Sequence, residues 1–285
     1  YDKSVDLAVL TKYLWYDVYR ELAGANFLKA YSPRIINVTG SKNYNPSQGT
    51  ETLGDASSGV KINLYNVNNL DPSDIKLMNE YFFKTMHHEF GHILDQKHLH
   101  PTSFNTLTAS SYDATGWSNS ADSLKAGLGF ITPYASSSVS EDWAECLANY
   151  ITMDSVSFAQ KLGSAEYEWE EIDCNTESDY TKLLTPGCNL DTIGYLKKSK
   201  TGGSLKIYRR LCVRDDNGNV ILNSENKPQW QHLSGVNGKE MILRNIDLVR
   251  RYLKEHFDID LDELRKKVQE RTYITKEDGT FLLDQ

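Results

Sequence analysis

His88-Glu89-Phe90-Gly91-His92 lies inside one long helical pattern. Residues four apart on a helix stand one above the other on the same face. The two imidazoles can therefore converge on one metal ion, and zinc is the ion such nitrogen pairs most often hold. Glu89, one position on, leans toward the same cleft and can take a proton from water activated there. Local signals agree with a helix: Asp71 is a suitable N-cap, Pro72 suits the first helical position, and Asp74 adds negative charge to the first turn. Ile75, Met78, Phe82, Met86, Phe90 and Ile93 recur at steps of three or four and predict the core stripe. His88 stands about 200° around from Phe90, so the histidines face away from that stripe. H-E-x-x-H also arises by chance, and a single histidine is more often a packing or surface residue; here the apolar opposite face weighs for the metal.

A catalytic zinc site needs a third protein ligand and an open position. One candidate is His98, because H-E-F-G-H-I-L-D-Q-K-H places three histidines at the H-E-x-x-H-x-x-G-x-x-H spacing. Asp95 stands where that pattern has glycine, and an unbroken helix would carry His98 about 240° away from His92. The other candidate is Glu141, in Ser140-Glu141-Asp142-Trp143-Ala144-Glu145, since a carboxylate from a second helix also completes a pair of histidines. Glu145, one turn later, can accept the second ring N–H of a ligand histidine and fix its tautomer. Against this, Ser138-x-x-Glu141 fits a capping box and Glu145 fits a solvated surface charge.

The 285 residues are 39% hydrophobic and 25% charged, an ordinary globular composition with enough chain for a sizeable core. A net charge of −8 argues against nucleic acid or an anionic membrane as partner. No run is apolar for long enough to span a bilayer. Beginning at Tyr1 without methionine or signal peptide, the sequence reads as a trimmed mature chain. Four cysteines without C-x-x-C spacing make a cysteine zinc site an unfavourable reading. Cys146 is expected as a buried free thiol, Cys174 and Cys188 share a polar loop and could pair, and Cys212 falls in a hairpin.

Outward from the histidine helix, Ser4 to about Ala23 predicts an amphipathic helix ending near Gly24, and 34–39 a short strand. Residues 40–58 read as an irregular loop, and 60–67 as an alternating strand leading into the histidine helix. A long Ser/Thr/Gly-rich passage to Ser140, with one short helix near 121–126, is expected to wall the site, with Tyr112 and Trp117 as candidate lining residues. A helix from about Ser138 or Ser140 to Met153 follows. The polar stretch 171–236 contains a hairpin whose Asn217-Gly218 signals a type I′ turn. Helices over about 239–256 and 261–271 close the chain, the second started by Asp260 and Glu263.

Phe130-Ile131-Thr132-Pro133-Tyr134-Ala135 followed by Ser140-Glu141-Asp142-Trp143-Ala144-Glu145 resembles the second half of the active site of anthrax lethal factor-like zinc peptidases, with Tyr134 seven residues before Glu141. Together with H-E-F-G-H-I-L-D-Q, the pattern also resembles zinc-binding metallopeptidase lipoproteins associated with substrate-import systems of gut bacteria. The resemblance covers about residues 60–155 well and 237–270 loosely. It implies Zn2+ as cofactor, His88, His92 and Glu141 as ligands, Glu89 as general base, Tyr134 as donor to the oxyanion, and Glu145 behind a ligand histidine. An α+β zincin-like fold with a gluzincin-type site follows: a catalytic domain over 1–170, a peripheral hairpin-bearing insertion over 171–236, and a helical pair over 237–285 packed on the catalytic domain. The expected activity is zinc-dependent hydrolysis of a peptide or protein. The resemblance further implies an exported, lipid-anchored protein at the periplasm or cell surface, with an outer-membrane nutrient-import system as partner. The competing expectation is a zinc-holding accessory of such a glycan or peptide uptake system with little hydrolysis of its own.

Overall fold

The computed structural model describes the chain apart from residues 1, 47–48, 58–59, 105, 107, 173–194, 202–203 and 272–285. The N-terminal apolar pattern folds as α1 (Asp2–Thr11), a π-helical turn (Lys12–Tyr16) and α2 (Asp17–Tyr31). The helix expected to end near Gly24 kinks there instead. Gly24 takes φ 81° and ψ 170°, open to a residue without Cβ, and helix then resumes to Tyr31.

β1 (Ile35–Val38) follows, and residues 40–58 are more ordered than their composition predicts. They hold β2 (Asn43–Asn45) and β3 (Thr50–Thr52), paired antiparallel, and β4 (Gly54–Ser57). No side chain of β2 or β3 is fully buried, so no apolar alternation marks them in the sequence. β5 (Lys61–Leu64) is the middle strand of a β1-β5-β4 sheet, parallel to β1 and antiparallel to β4.

The helix that follows starts later than expected. Asp71 Oδ1 accepts from Ser73 N at 3.0 Å in a preceding turn, and Asp74 Oδ1 caps the helix by accepting from Leu77 N at 2.9 Å. Asp71 is therefore not the cap: its carboxylate is engaged in closing the Asp-Pro-Ser turn. Three pieces run end to end: α3 (Ile75–Leu77), a π-helical turn (Met78–Phe83) and α4 (Lys84–Asp95). The wider turn shifts the helical phase by part of a residue, which is why Phe82 and Phe83 are both buried. Met78, Met86, Phe90 and Ile93 form the expected core stripe, while the side chain of Ile75 lies outside the described residues.

α5 (Asp122–Gly127), α6 (Val139–Thr152) and α7 (Ser155–Ser164) come next. β6 (Trp169–Ile172), β7 (Tyr195–Thr201) and β8 (Ser204–Arg210) then form an antiparallel sheet of order β6-β8-β7, so the 170/171 boundary falls within a strand of that sheet. The Asn217-Gly218 turn is not type I′. Gly218 takes φ 82° but Asn217 keeps a negative φ, because Asp215 Oδ1 accepts from Asn217 N (2.9 Å) and Asn219 N (2.8 Å). Cys146 and Cys212 are buried free thiols; Cys174 and Cys188 lie outside the described residues. α8 (Gly238–Phe257) is capped by Asn237 and α9 (Leu261–Glu270) by Asp260. Among the described residues no helix is long and apolar enough to cross a membrane.

The packing is centred on α4. On its stripe side, Trp15 and Tyr19 pack on Phe90 with ring centroids 4.9 and 5.1 Å away, so the N-terminal helices seal that face. On another side α6 lies close against it, and α6 is backed by α8 through Trp143 on Tyr252 at 4.8 Å. The sheet covers a third side. The fold is thus α+β, with one helix held from three directions and the remaining face open to a cleft.

Candidate metal centre

Two glycines let the neighbours of α4 come close. A Cβ on Gly54 would stand 2.4 Å from Thr85 Cγ2 and 2.8 Å from Asn63 O, so β4 can lie on α4 only without one. A Cβ on Gly91 would stand 3.1 Å from Leu147 Cδ2 and 3.5 Å from Ala144 Cα, so α6 approaches α4 at the glycine of the H-E-F-G-H stretch itself. Glu141 and Glu145, on the first turns of α6, are thereby brought over the histidines.

His88 Nε2, His92 Nε2 and Glu141 Oε2 form a small triangle. The two nitrogens are 3.1 Å apart, and the carboxylate oxygen is 3.0 Å from His88 Nε2 and 3.3 Å from His92 Nε2. A tetrahedral zinc with ligands at its usual bond lengths needs about 3.3 Å between donor atoms. These three are the one group of histidine, cysteine and carboxylate side chains able to share an ion among the described residues. Ser138 Oγ accepts from Glu141 N at 3.3 Å, so the helix cap is real, but it employs the backbone and leaves the Glu141 carboxylate for the histidines.

The far ring nitrogens are also engaged. His88 Nδ1 donates to Glu145 Oε1 at 2.8 Å, and His92 Nδ1 meets Ser140 Oγ at 3.2 Å. Glu145 is itself buried and held by Thr132 Oγ1 at 2.6 Å and Asn149 Nδ2 at 3.1 Å, both on its second oxygen. With His88 Nδ1 donating to Glu145, both Nε2 atoms are left against the Glu141 carboxylate, an arrangement that requires positive charge between them, whether a proton or a metal ion. The electrostatics agree. Burial opposes a charged His88, but hydrogen bonds to Glu141 and Glu145 outweigh it and raise its pKa to about 10. Burial pushes the Glu145 carboxyl up, yet His88 prevails and lowers it to about 2; Glu141 is lowered for the same reason by both histidines. The residues present therefore fit a zinc ion in donor type, separation and charge.

A cleft of about 650 Å³ opens onto His88 and Glu89. Residues 50–54, from β3 to the start of β4, line it, together with Trp117, Pro133 and Tyr134. Leu53 O accepts from Tyr65 N at 3.0 Å, so along β4 the backbone groups of Leu53 and Asp55 point to β5 and those of Gly54 and Ala56 point away from it. Glu89 is 6% exposed, and burial holds its carboxyl above the ordinary range against the pull of His88 and His92. Tyr134 stacks on His88 with centroids 5.9 Å apart and is braced by Trp117 at 4.8 Å. Burial first, then the charge of Glu141 and a hydrogen bond to it, push the phenol up, so it keeps its proton at neutral pH.

Other sequence candidates fall elsewhere. His98 stacks on His256 with centroids 4.7 Å apart, and its carbonyl accepts from Tyr252 Oη at 2.6 Å. The chain does turn at Asp95, but Asp95 Oδ1 accepts from His100 N at 2.6 Å and ties the loop to the end of α4, which leaves His98 against α8 and outside the ligand triangle. Tyr112 does not line the cleft; its hydroxyl donates to the fully buried Asp142 at 2.9 Å. His87 is buried, with Tyr19 Oη 3.0 Å from its Nδ1. Thr132, Ser140 and Asn149 support the site, although no spacing rule marks them. Thr132 lies inside F-I-T-P-Y-A and Ser140 opens S-E-D-W-A-E, whereas Asn149 carries no signal in the sequence.

Fold and donor set together are those of a metalloprotein built around zinc. Residues 1–262 match the family described as "Putative zinc-binding metallo-peptidase", and the chain belongs to that family. The structure is similar to a solved one described as a "putative zinc-binding metallo-peptidase from Bacteroides caccae". The TM-score is 0.61 at 30% identity, over 94% of this chain and 76% of that one. No curated protein matches the chain.

Proposed function

We propose that this protein is a gluzincin-type zinc peptidase in which His88, His92 and Glu141 hold the ion. The observation that carries this reading is the triangle of His88 Nε2, His92 Nε2 and Glu141 Oε2, with separations of 3.0–3.3 Å beside an open cleft. Zinc held there supplies a Lewis acid that acidifies water and polarises a carbonyl. Glu89, with its carboxyl raised by burial, accepts the proton of the attacking water and returns it to the leaving amine. Tyr134, protonated and braced between His88 and Trp117, donates to the oxygen on which negative charge develops. Glu145 and Ser140 keep both imidazoles in the tautomer that frees Nε2. The outward backbone of Gly54 and Ala56 offers hydrogen bonds to an extended peptide lying along β4.

That edge supports a peptide or protein substrate, and the family resemblance supports export with a lipid anchor beside an outer-membrane import system. The test is cleavage of a quenched-fluorescent peptide mixture by zinc-loaded protein beside its Glu89→Gln variant. Zinc-dependent cleavage, lost in the variant, is expected. Protein carrying one zinc per chain that cleaves nothing would leave the accessory role standing.

A further inference from the structure

We propose that Lys84 selects substrates that present a carboxylate near the scissile bond; this rests on the peptidase reading of the same cleft. Lys84 begins α4 four residues before His88, which puts it on the same helical face one turn away. It lines the cleft in a half-buried position. Its charge is felt by Glu145, where it helps hold that carboxylate ionised.

Each acid around it is committed elsewhere. Glu51, which also lines the cleft, pairs with Lys42 at 2.7 Å. Glu145 directs one oxygen to His88 and the other to Thr132 and Asn149. Glu89 lies buried beneath the cleft, facing the ligand histidines. Among the described residues that line the cleft, Lys84 is thus the one lysine or arginine, and it has no ion pair.

A half-buried ammonium with three donors and no ion pair favours an incoming anion, and a carboxylate is the anion a peptide carries. Such a pair, formed inside the cleft at a half-buried lysine, makes a charge-assisted hydrogen bond stronger than a fully exposed one. The carboxylate has two sources, an Asp or Glu side chain or the end of the substrate chain.

The probes are peptidyl hydroxamates, which chelate zinc and report affinity without turnover. One carries Glu with an amidated C-terminus, its twin carries Gln, and a third has no acidic side chain but a free C-terminus. Binding to zinc-loaded protein is measured by calorimetry. The Glu probe should bind roughly tenfold tighter than its twin. That ratio should collapse in Lys84→Met, survive in Lys84→Arg, and shrink with added salt. If the free-terminus probe carries the preference, the carboxylate is the chain end and the role of Lys84 holds. Equal binding of all three probes overturns the proposal, as does a ratio unmoved by Lys84→Met. A lysine that merely supported Glu145 would weaken every probe together and leave the ratio intact, which also overturns it. Hydrolysis plays no part in this readout, so failure of the peptidase reading is seen separately.

Discussion

Gly91 faces Ala144 so closely that an added Cβ would be 3.5 Å from the Ala144 Cα and 3.1 Å from Leu147 Cδ2. This contact sets the distance between the helix carrying the histidines and the helix carrying their carboxylates. Gly91→Val should separate them, lowering the melting temperature and the zinc content together. Gly91→Ala should change stability by no more than about 1 kcal/mol, because better helix propensity offsets a slight displacement of Leu147. Unchanged zinc content in a folded Gly91→Val variant would show that the helix spacing does not set the site.

Ligand assignment is open to a paired experiment. Glu141→Gln should weaken zinc binding by roughly 100-fold or more, since a carbonyl oxygen replaces a charged donor. His98→Asn should leave metal content unchanged, because His98 stacks on His256 outside the triangle. Metal content after dialysis against graded chelator distinguishes the two, and the opposite pattern would overturn the ligand set.

Behind His88, Glu145 accepts the Nδ1 hydrogen at 2.8 Å. Glu145→Gln keeps the shape but weakens this bond, and zinc affinity should fall about 10- to 100-fold. Thr132→Val, which removes a hydrogen bond to Glu145 of 2.6 Å, should fall in the same direction by less. Competition with a fluorescent chelator measures both.

The zinc-free protein should show a defined pH dependence. His88 has its pKa raised to about 10, so its contribution is fully present below its unfolded value near 6.5 and is lost as pH rises through 10. Glu145 is lowered to about 2, so its contribution is present above about 4.5 and is lost as pH falls through 2. Without metal, melting temperature should therefore decline between pH 7 and 10. Zinc must displace the proton on His88, so loading at pH 7 should release protons, seen as a calorimetric enthalpy that varies with the buffer's ionisation enthalpy. An enthalpy independent of buffer would contradict this.

Tyr134→Phe should lower kcat about 10²- to 10³-fold with little change in KM, the signature of a donor that acts only on the developing oxyanion. Zinc affinity should stay close to that of the native protein. Loss of metal instead would assign Tyr134 to holding Glu141 rather than to the reaction.

Much of the site was legible because helical spacing is local geometry. His88 and His92 had to share a face, and Met86, Phe90 and Ile93 had to be buried on another. The helix start is ambiguous in the sequence, since Asp71 and Asp74 are both suitable caps and only the Asp71–Ser73 turn decides between them. β2 and β3 escaped notice because short half-buried polar strands carry no alternating pattern.

The amino-acid order by itself determined the imidazole pair, the neighbouring carboxylate of Glu89 and the apolar stripe opposite, since all three depend only on the period of one helix. The residues alone left Glu141 and His98 both open as the third partner, and only the family resemblance favoured Glu141. Tertiary structure brings Glu141 Oε2 within 3.0–3.3 Å of both imidazoles across 49 positions of chain, with α6 approaching at Gly91, and sets His98 against α8. Long-range packing of this kind leaves no periodic mark, so it had to be seen in the fold.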